Sequence, residues 1–142
     1  MAAPDFAEWI AICELKARYC RLLDSKGWDG WAALFTPDFL LDATASGGPR
    51  IEGREAFVSS IRRSLEAAVT VHHVHMPEIT MTGDEATAIW PMMDHLVWPD
   101  GRTLTGYGHY HDRYIRVGGN WLIAESRLTR LHMAMVPPLD TP

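Results

Sequence analysis

Apolar residues occupy positions 6, 9, 10, 12, 13, 15, 19, 20, 22 and 23 of "FAEWIAICELKARYCRLLDS", which runs from Phe6 to Ser25. That is the spacing of one helical face, not the alternation of a strand. Pro4-Asp5 supplies a start signal and Gly27 a stop. "WDGWAALFTPD" predicts a second, shorter helix ended by Pro37, followed by a strand in "FLLDATA". "SGGPR", residues 46–50, reads as a turn. "GREAFVSSIRRSLEAA" predicts a third helix with Ala56, Phe57, Ile61, Leu65 and Ala68 on its inner face.

Beyond that helix the period becomes two. Four strands are predicted, at about 70–82, 85–98, 103–117 and 120–133. "TGDE" (82–85), "PDGR" (99–102) and "GGN" (118–120) join them, each pairing Gly with Asp or Asn as tight hairpins require. The tail 134–142 reads as coil. The predicted class is α+β: about three N-terminal helices packed on a cone-shaped, curved, mostly antiparallel sheet that encloses a pocket. Length, and the lack of repeats or low-complexity stretches, predict a single domain over 1–142 with its core at about 6–133.

Composition narrows the partners. Hydrophobic residues make up 47% of the 142 and charged residues 22%, enough for one core without disulfides or structural metal. A formal net charge of −5 and no basic run longer than Arg62-Arg63 argue against nucleic acid. No apolar stretch approaches the ~20 residues of a membrane span, and "MAAPDFAEW" does not read as a signal peptide; both point to the cytoplasm. Cys13 and Cys20 lie two helical turns apart, about 10 Å of rise, too far for a disulfide.

Three segments carry a resemblance. "ARYCRLLDSKGWDGWAALFTPDFLLDA", "HHVHMPEITMTGDEATA" and "GYGHYHDRYIRVGGNWLIAES" lie within the stretch of about 8–133 that the resemblance covers. In their order and residues they resemble the SnoaL-like cavity proteins of the nuclear transport factor two-like superfamily. The nearest enzymatic branch is the lyases: scytalone dehydratase, bile-acid 7α-dehydratase and hexachlorocyclohexane dehydrochlorinase. The resemblance implies a His–Asp dyad that removes a proton beside a leaving group, without a cofactor. Asp24, at the end of the first helix, matches the acid. Tyr19, five residues earlier, matches a tyrosine of the bile-acid enzyme. Counting back seven from Ile79, or four from Met76, places the family's histidine at His72; Met76 stands where the family often has Asn. Asp94 matches a second pocket carboxylate and Arg130 a late pocket arginine.

The chemistry of those residue types supports the pairing. Imidazole titrates near neutrality and is the natural base at physiological pH. A carboxylate on its far nitrogen fixes the tautomer and stabilises the imidazolium. Strand alternation groups Met92, Asp94 and Leu96; Gly108, Tyr110 and Asp112; and Ala124, Ser126, Leu128 and Arg130. Aligned with the family's last hairpin, these sets face the pocket. Asp94, Arg130 and Tyr110 are therefore candidate substrate-binding residues beside the catalytic candidates His72, Asp24 and Tyr19. The bland alternatives are an Asp94–Arg130 ion pair that is only structural, and a Tyr110 that only packs. Arg127 is the other arginine available, on the opposite face.

"HVH" (73–75) and "HYH" (109–111) raise a rival, a metal held by facing His-x-His pairs on adjacent strands. Parity places these four histidines on the outer face, so no metal site is expected. Trp28 and Trp31 are expected to wedge the second helix into the core and Trp121 to pack a strand; Trp90 and Trp98 suit either the pocket or an interface. Ile89, Met93, Val97, Tyr107 and Ile115 on the outer face predict a homo-oligomer, trimer or dimer. The expected function is a lyase, a dehydratase first, acting on a small cyclic or aromatic molecule. A ketosteroid-isomerase-like isomerase and a non-catalytic binding or assembly domain are the alternatives. The Asp24–His72 separation discriminates: hydrogen-bond reach favours the enzyme.

Overall fold

The computed structural model describes residues 5–140. Helix α1 spans Phe6–Asp24. Asp5 caps it, accepting the N–H groups of Ala7 at 3.0 Å and Glu8 at 3.4 Å; Pro4 lies outside the described residues. The helix ends in a Schellman motif, with Gly27 N–H on the Leu22 carbonyl at 2.8 Å and Lys26 N–H on that of Leu23 at 3.2 Å. The left-handed residue is Lys26, at φ 60°, not the glycine after it. That conformation costs a non-glycine residue about 1 kcal/mol, and here it carries the Lys26 side chain back toward the sheet.

Three boundaries depart from the sequence reading. Helix α2 closes at Trp28–Ala32, and Pro37 lies inside strand β1, Phe35–Asp42, instead of ending the helix. Proline is tolerated because the ladder slips between Phe35 and Leu40, so Pro37 and Asp38 bulge outward without an obligatory hydrogen bond. A 3-10 turn, Thr44–Ser46, leads to a short strand β2, Arg50–Glu52, where only a turn was expected. Helix α3 spans Arg54–Leu65 and buries Phe57 and Leu65, while Ala56 faces solvent.

The single strand expected over 70–82 is two, β3 (Val69–Val74) and β4 (Glu78–Thr82). Both pair antiparallel with β5, Glu85–Val97, at its opposite halves, and His75-Met76-Pro77 bridges them. Strands β6 (Thr103–Val117) and β7 (Asn120–Val136) complete the meander. The last strand runs three residues past its expected end, because Leu104, Thr103 and their neighbours continue to pair with Met135 and Val136.

The seven strands form one open, curved sheet in the order β2-β1-β7-β6-β5-β3, with β4 beside β5. All neighbours are antiparallel except β1 and β7, which run parallel. Helix α1 packs on β3 and β7, and α3 on β1, so the helices cover the concave face. Edge-on and tilted ring contacts fix the join: Trp31–Phe35, Phe35–Phe39 and Phe39–Phe57 centroids lie 4.9, 4.6 and 4.6 Å apart. No helix among the described residues is long and apolar enough to cross a membrane. Cys13 and Cys20 are free thiols.

Candidate active site

Between the helices and the concave face lies a cavity of about 380 Å³. Its walls are mostly apolar, with Leu23, Trp31, Phe57, Leu96 and Leu128 among them. The loop around Gly47-Gly48-Pro49, Trp98 and Met133 lines it as well. Five polar side chains named from the sequence line the same space: Tyr19, His72, Asp94, Tyr110 and Arg130.

Asp24, the sixth, stands behind His72. As the last residue of α1 it sits where the helix dipole disfavours an acid, so its placement needs other partners. It has three. His72 Nδ1 lies 2.7 Å from Oδ1, the His72 backbone N–H donates to Oδ2 at 2.8 Å, and the Thr70 hydroxyl donates to Oδ1 at 2.9 Å. Lys26 Nζ in turn donates to Thr70 Oγ1 at 2.8 Å, which is where the left-handed Lys26 leads. Burial pushes the Asp24 carboxyl up, but the hydrogen bonds and charge of His72, with Thr70, outweigh it and hold the group below the usual carboxylate range. A carboxylate only accepts, so Nδ1 is the ring nitrogen that carries a proton and donates to it. Nε2 makes no hydrogen bond to the described residues, and the side chain borders the cavity.

Opposite the dyad's strand register, Asp94 pairs with Gly106 and Gly108 with Arg130. Arg130 grips Asp94 bidentately, Nη1 to Oδ1 at 2.8 Å and Nη2 to Oδ2 at 2.9 Å. Asp94 is only 3% exposed. Gly106 makes the room: a Cβ there would stand 1.8 Å from Arg130 Nη1 and 2.5 Å from Asp94 Oδ1. Arg127 pairs with His111 and faces out.

Tyr19 and Tyr110 meet edge to face at 5.9 Å. Burial drives both phenols well up, so they are neutral donors at any physiological pH. Both tyrosines line the cavity, and the two phenols are near enough to act on each other.

Lys16 was missed by the sequence reading. It is fully buried, and its Nζ lies 4.1 and 3.9 Å from the ring centroids of Tyr19 and Tyr110. Its Nζ also bonds Asp112 Oδ2 at 2.7 Å. Tyr114 and Ser126 hydroxyls donate to Asp112 at 2.7 Å each, and Trp90 Nε1 donates to the Tyr114 oxygen at 2.9 Å. The signal for it was present: 12, 16, 19, 20 and 23 form one helical stripe, with a lysine where an apolar residue belongs.

A strand separates the two histidine pairs. His73 is exposed and lies opposite Met93, while His109 and His111 lie opposite Pro91 and Ile89. Strand β5 therefore stands between the two pairs, which are not on adjacent strands as the sequence reading supposed. Among the described residues no group of three or more His, Cys, Asp or Glu could hold a metal ion. Trp98 borders the cavity, whereas Trp90 belongs to the sealed network.

The model of the SnoaL-like domain matches residues 8–127. The chain belongs to the SnoaL-like domain family. It is 28% identical over 134 residues to the Gibberella zeae protein named Probable cyclase FGR4, covering 85% of this chain and 89% of that one. A scytalone dehydratase-like protein of Novosphingobium aromaticivorans superposes with a TM-score of 0.83 at 22% identity, over 92% of this chain and 88% of its own. Hexachlorocyclohexane dehydrochlorinase LinA type 2 gives 0.82 at 14% identity, over 96% and 94%. At such identities the two structures establish the nuclear transport factor two-like fold and nothing of the reaction.

Proposed function

We propose that this SnoaL-like protein is a cofactor-independent lyase, a dehydratase, acting on a small cyclic or aromatic carbonyl compound. The supporting observation is the Asp24–His72 contact of 2.7 Å, with an unengaged Nε2 at the edge of the cavity. In this reading Nε2 takes the proton from the carbon beside a carbonyl. Asp24 holds the imidazolium that results. Tyr19 and Tyr110 donate to the oxygen on which negative charge collects. The electron pair of the broken C–H bond becomes a C=C bond and expels the β-oxygen, which leaves as water with the proton returned by His72. The Asp94–Arg130 pair forms a wall against which the substrate is oriented; its remaining guanidinium N–H groups suit a neutral oxygen acceptor.

The relative named as a cyclase favours a second reading, ring closure through the same enolate; double-bond isomerisation shares that step too. All three begin with C–H cleavage by His72, which is therefore the step to test. Cyclic β-hydroxy ketones incubated in D2O with the protein should lose water or exchange the α-hydrogen by NMR. His72→Ala should do neither at a measurable rate, with its melting temperature within a few degrees of wild type. Exchange that persists in His72→Ala, or a panel left untouched by wild type, counts against proton abstraction and for a binding domain. Self-association through the outer face of the sheet, where Ile89 and Tyr107 are exposed, is part of the same proposal; light scattering reads it directly.

A further inference from the structure

We propose that the cavity selects uncharged ligands over anions, and that the closed Asp94–Arg130 pair is the device that excludes carboxylates. The inference rests on the cavity being the small-molecule site. A pocket containing an arginine ordinarily invites an anion. Here both terminal guanidinium nitrogens are already engaged by one carboxylate in a bidentate clasp. An incoming carboxylate either meets the remaining N–H groups of a cation whose charge Asp94 already offsets, or displaces Asp94, a group 3% exposed, and leaves it without a counter-ion. An uncompensated buried charge is among the costliest changes a site can suffer.

Among the described residues no other lysine or arginine lines the cavity. Lys16, the lysine nearest the two tyrosines, is itself fully buried and closed onto Asp112 at 2.7 Å. Lys26 ends on Thr70, behind Asp24 and outside the cavity lining. Asp24 stands behind His72 and is outside the cavity lining too. An anion would therefore meet an ion pair already closed on itself, in walls that are mostly apolar. The clasp is built in: at Gly106 any larger side chain would occupy the position of Arg130 Nη1.

Two probes of one ring system test this, 2-naphthol and 2-naphthoate, titrated calorimetrically at pH 7.5. Wild type should bind the naphthol at least about tenfold more tightly. Asp94→Asn removes the charge and frees Arg130; naphthoate affinity should then rise by about tenfold or more while naphthol changes little. Asp94→Ala frees Arg130 in the same way and should likewise raise naphthoate affinity, and it decides the matter should Asp94→Asn not fold. Equal or tighter naphthoate binding by wild type overturns the proposal, as does an unchanged ratio in Asp94→Asn. Failure of wild type to bind either probe removes the small-molecule cavity and this inference together. A retained preference in a protein that turns over nothing would leave the selectivity standing and the lyase reading lost.

Discussion

Asp112 and Asp24 are both carboxylates joined to a basic side chain from another element, at the same 2.7 Å separation, yet one system is closed and the other is not. Around Asp112 every strong group is spent. Lys16 and the hydroxyls of Tyr114 and Ser126 fill the carboxylate, Trp90 fills the Tyr114 oxygen, and the Lys16 and Asp112 side chains have no exposure at all. Around Asp24 the acid is equally well supplied, but its partner keeps one ring nitrogen unengaged at the border of the cavity. The same kinds of contact thus make a structural brace in one place and, in the proposed function, a poised base in the other. What separates them is whether the last polar atom of the chain of contacts finds protein or open space.

The contrast breaks most sharply at Asp24. Asp24→Asn keeps the shape but offers an amide to Nδ1, so the tautomer with a bare Nε2 is no longer enforced. Turnover in the assay above should fall by about 10³–10⁴-fold, with the fold retained by circular dichroism. A loss of less than tenfold would put Asp24 with the structural acids. The reverse pattern is expected at the brace. Lys16→Met strands Asp112 without a counter-ion in a site that water does not reach, and should cost about 3–5 kcal/mol in chemical denaturation. Lys16→Met/Asp112→Leu removes both charges and should recover much of that loss. If the double variant is no better than the single, the lost ion pair is not what destabilises the protein.

Much of this was legible before the structure, and the exceptions have physical causes. The helix face of α1 and the parity of β5 and β6 were readable because each is regular over its length. On β7 parity held only in the middle. The ladder slips between Arg113 and Tyr114, where Ala124 is the extra residue, and again between Tyr107 and Gly108, where Leu131 is. Ser126, Leu128 and Arg130 lie between the slips, so alternation placed Arg130 correctly. Carried further, it would send His132 inward, whereas the second bulge brings Met133 to the cavity. Bulges leave no period to detect. The Asp24–His72 contact was readable only through the family pattern, because 48 residues separate the pair. Nothing in local sequence gave Lys16 its partner 96 residues away, although its place in an apolar stripe marked it as a buried charge in need of one.

The smallest effect sharpens the comparison by titrating the open acid. The folded protein holds the Asp24 carboxyl below its usual range, through His72 and Thr70 against the opposing influence of burial. A group depressed on folding stabilises the folded state above its unfolded value, near pH 4, and loses that contribution as pH falls through the lower, folded value. Acidification from pH 5 to pH 2 should therefore erode wild-type stability by a component that Asp24→Asn lacks, and the gap between their melting temperatures should narrow over that interval. The Asp24 side chain is 25% exposed, so solvent screens the contribution and the narrowing should be modest beside the loss in Lys16→Met. A gap that stays constant down to pH 2 would mean that the ionised carboxylate contributes nothing to the fold, and that its three hydrogen bonds serve only to aim His72.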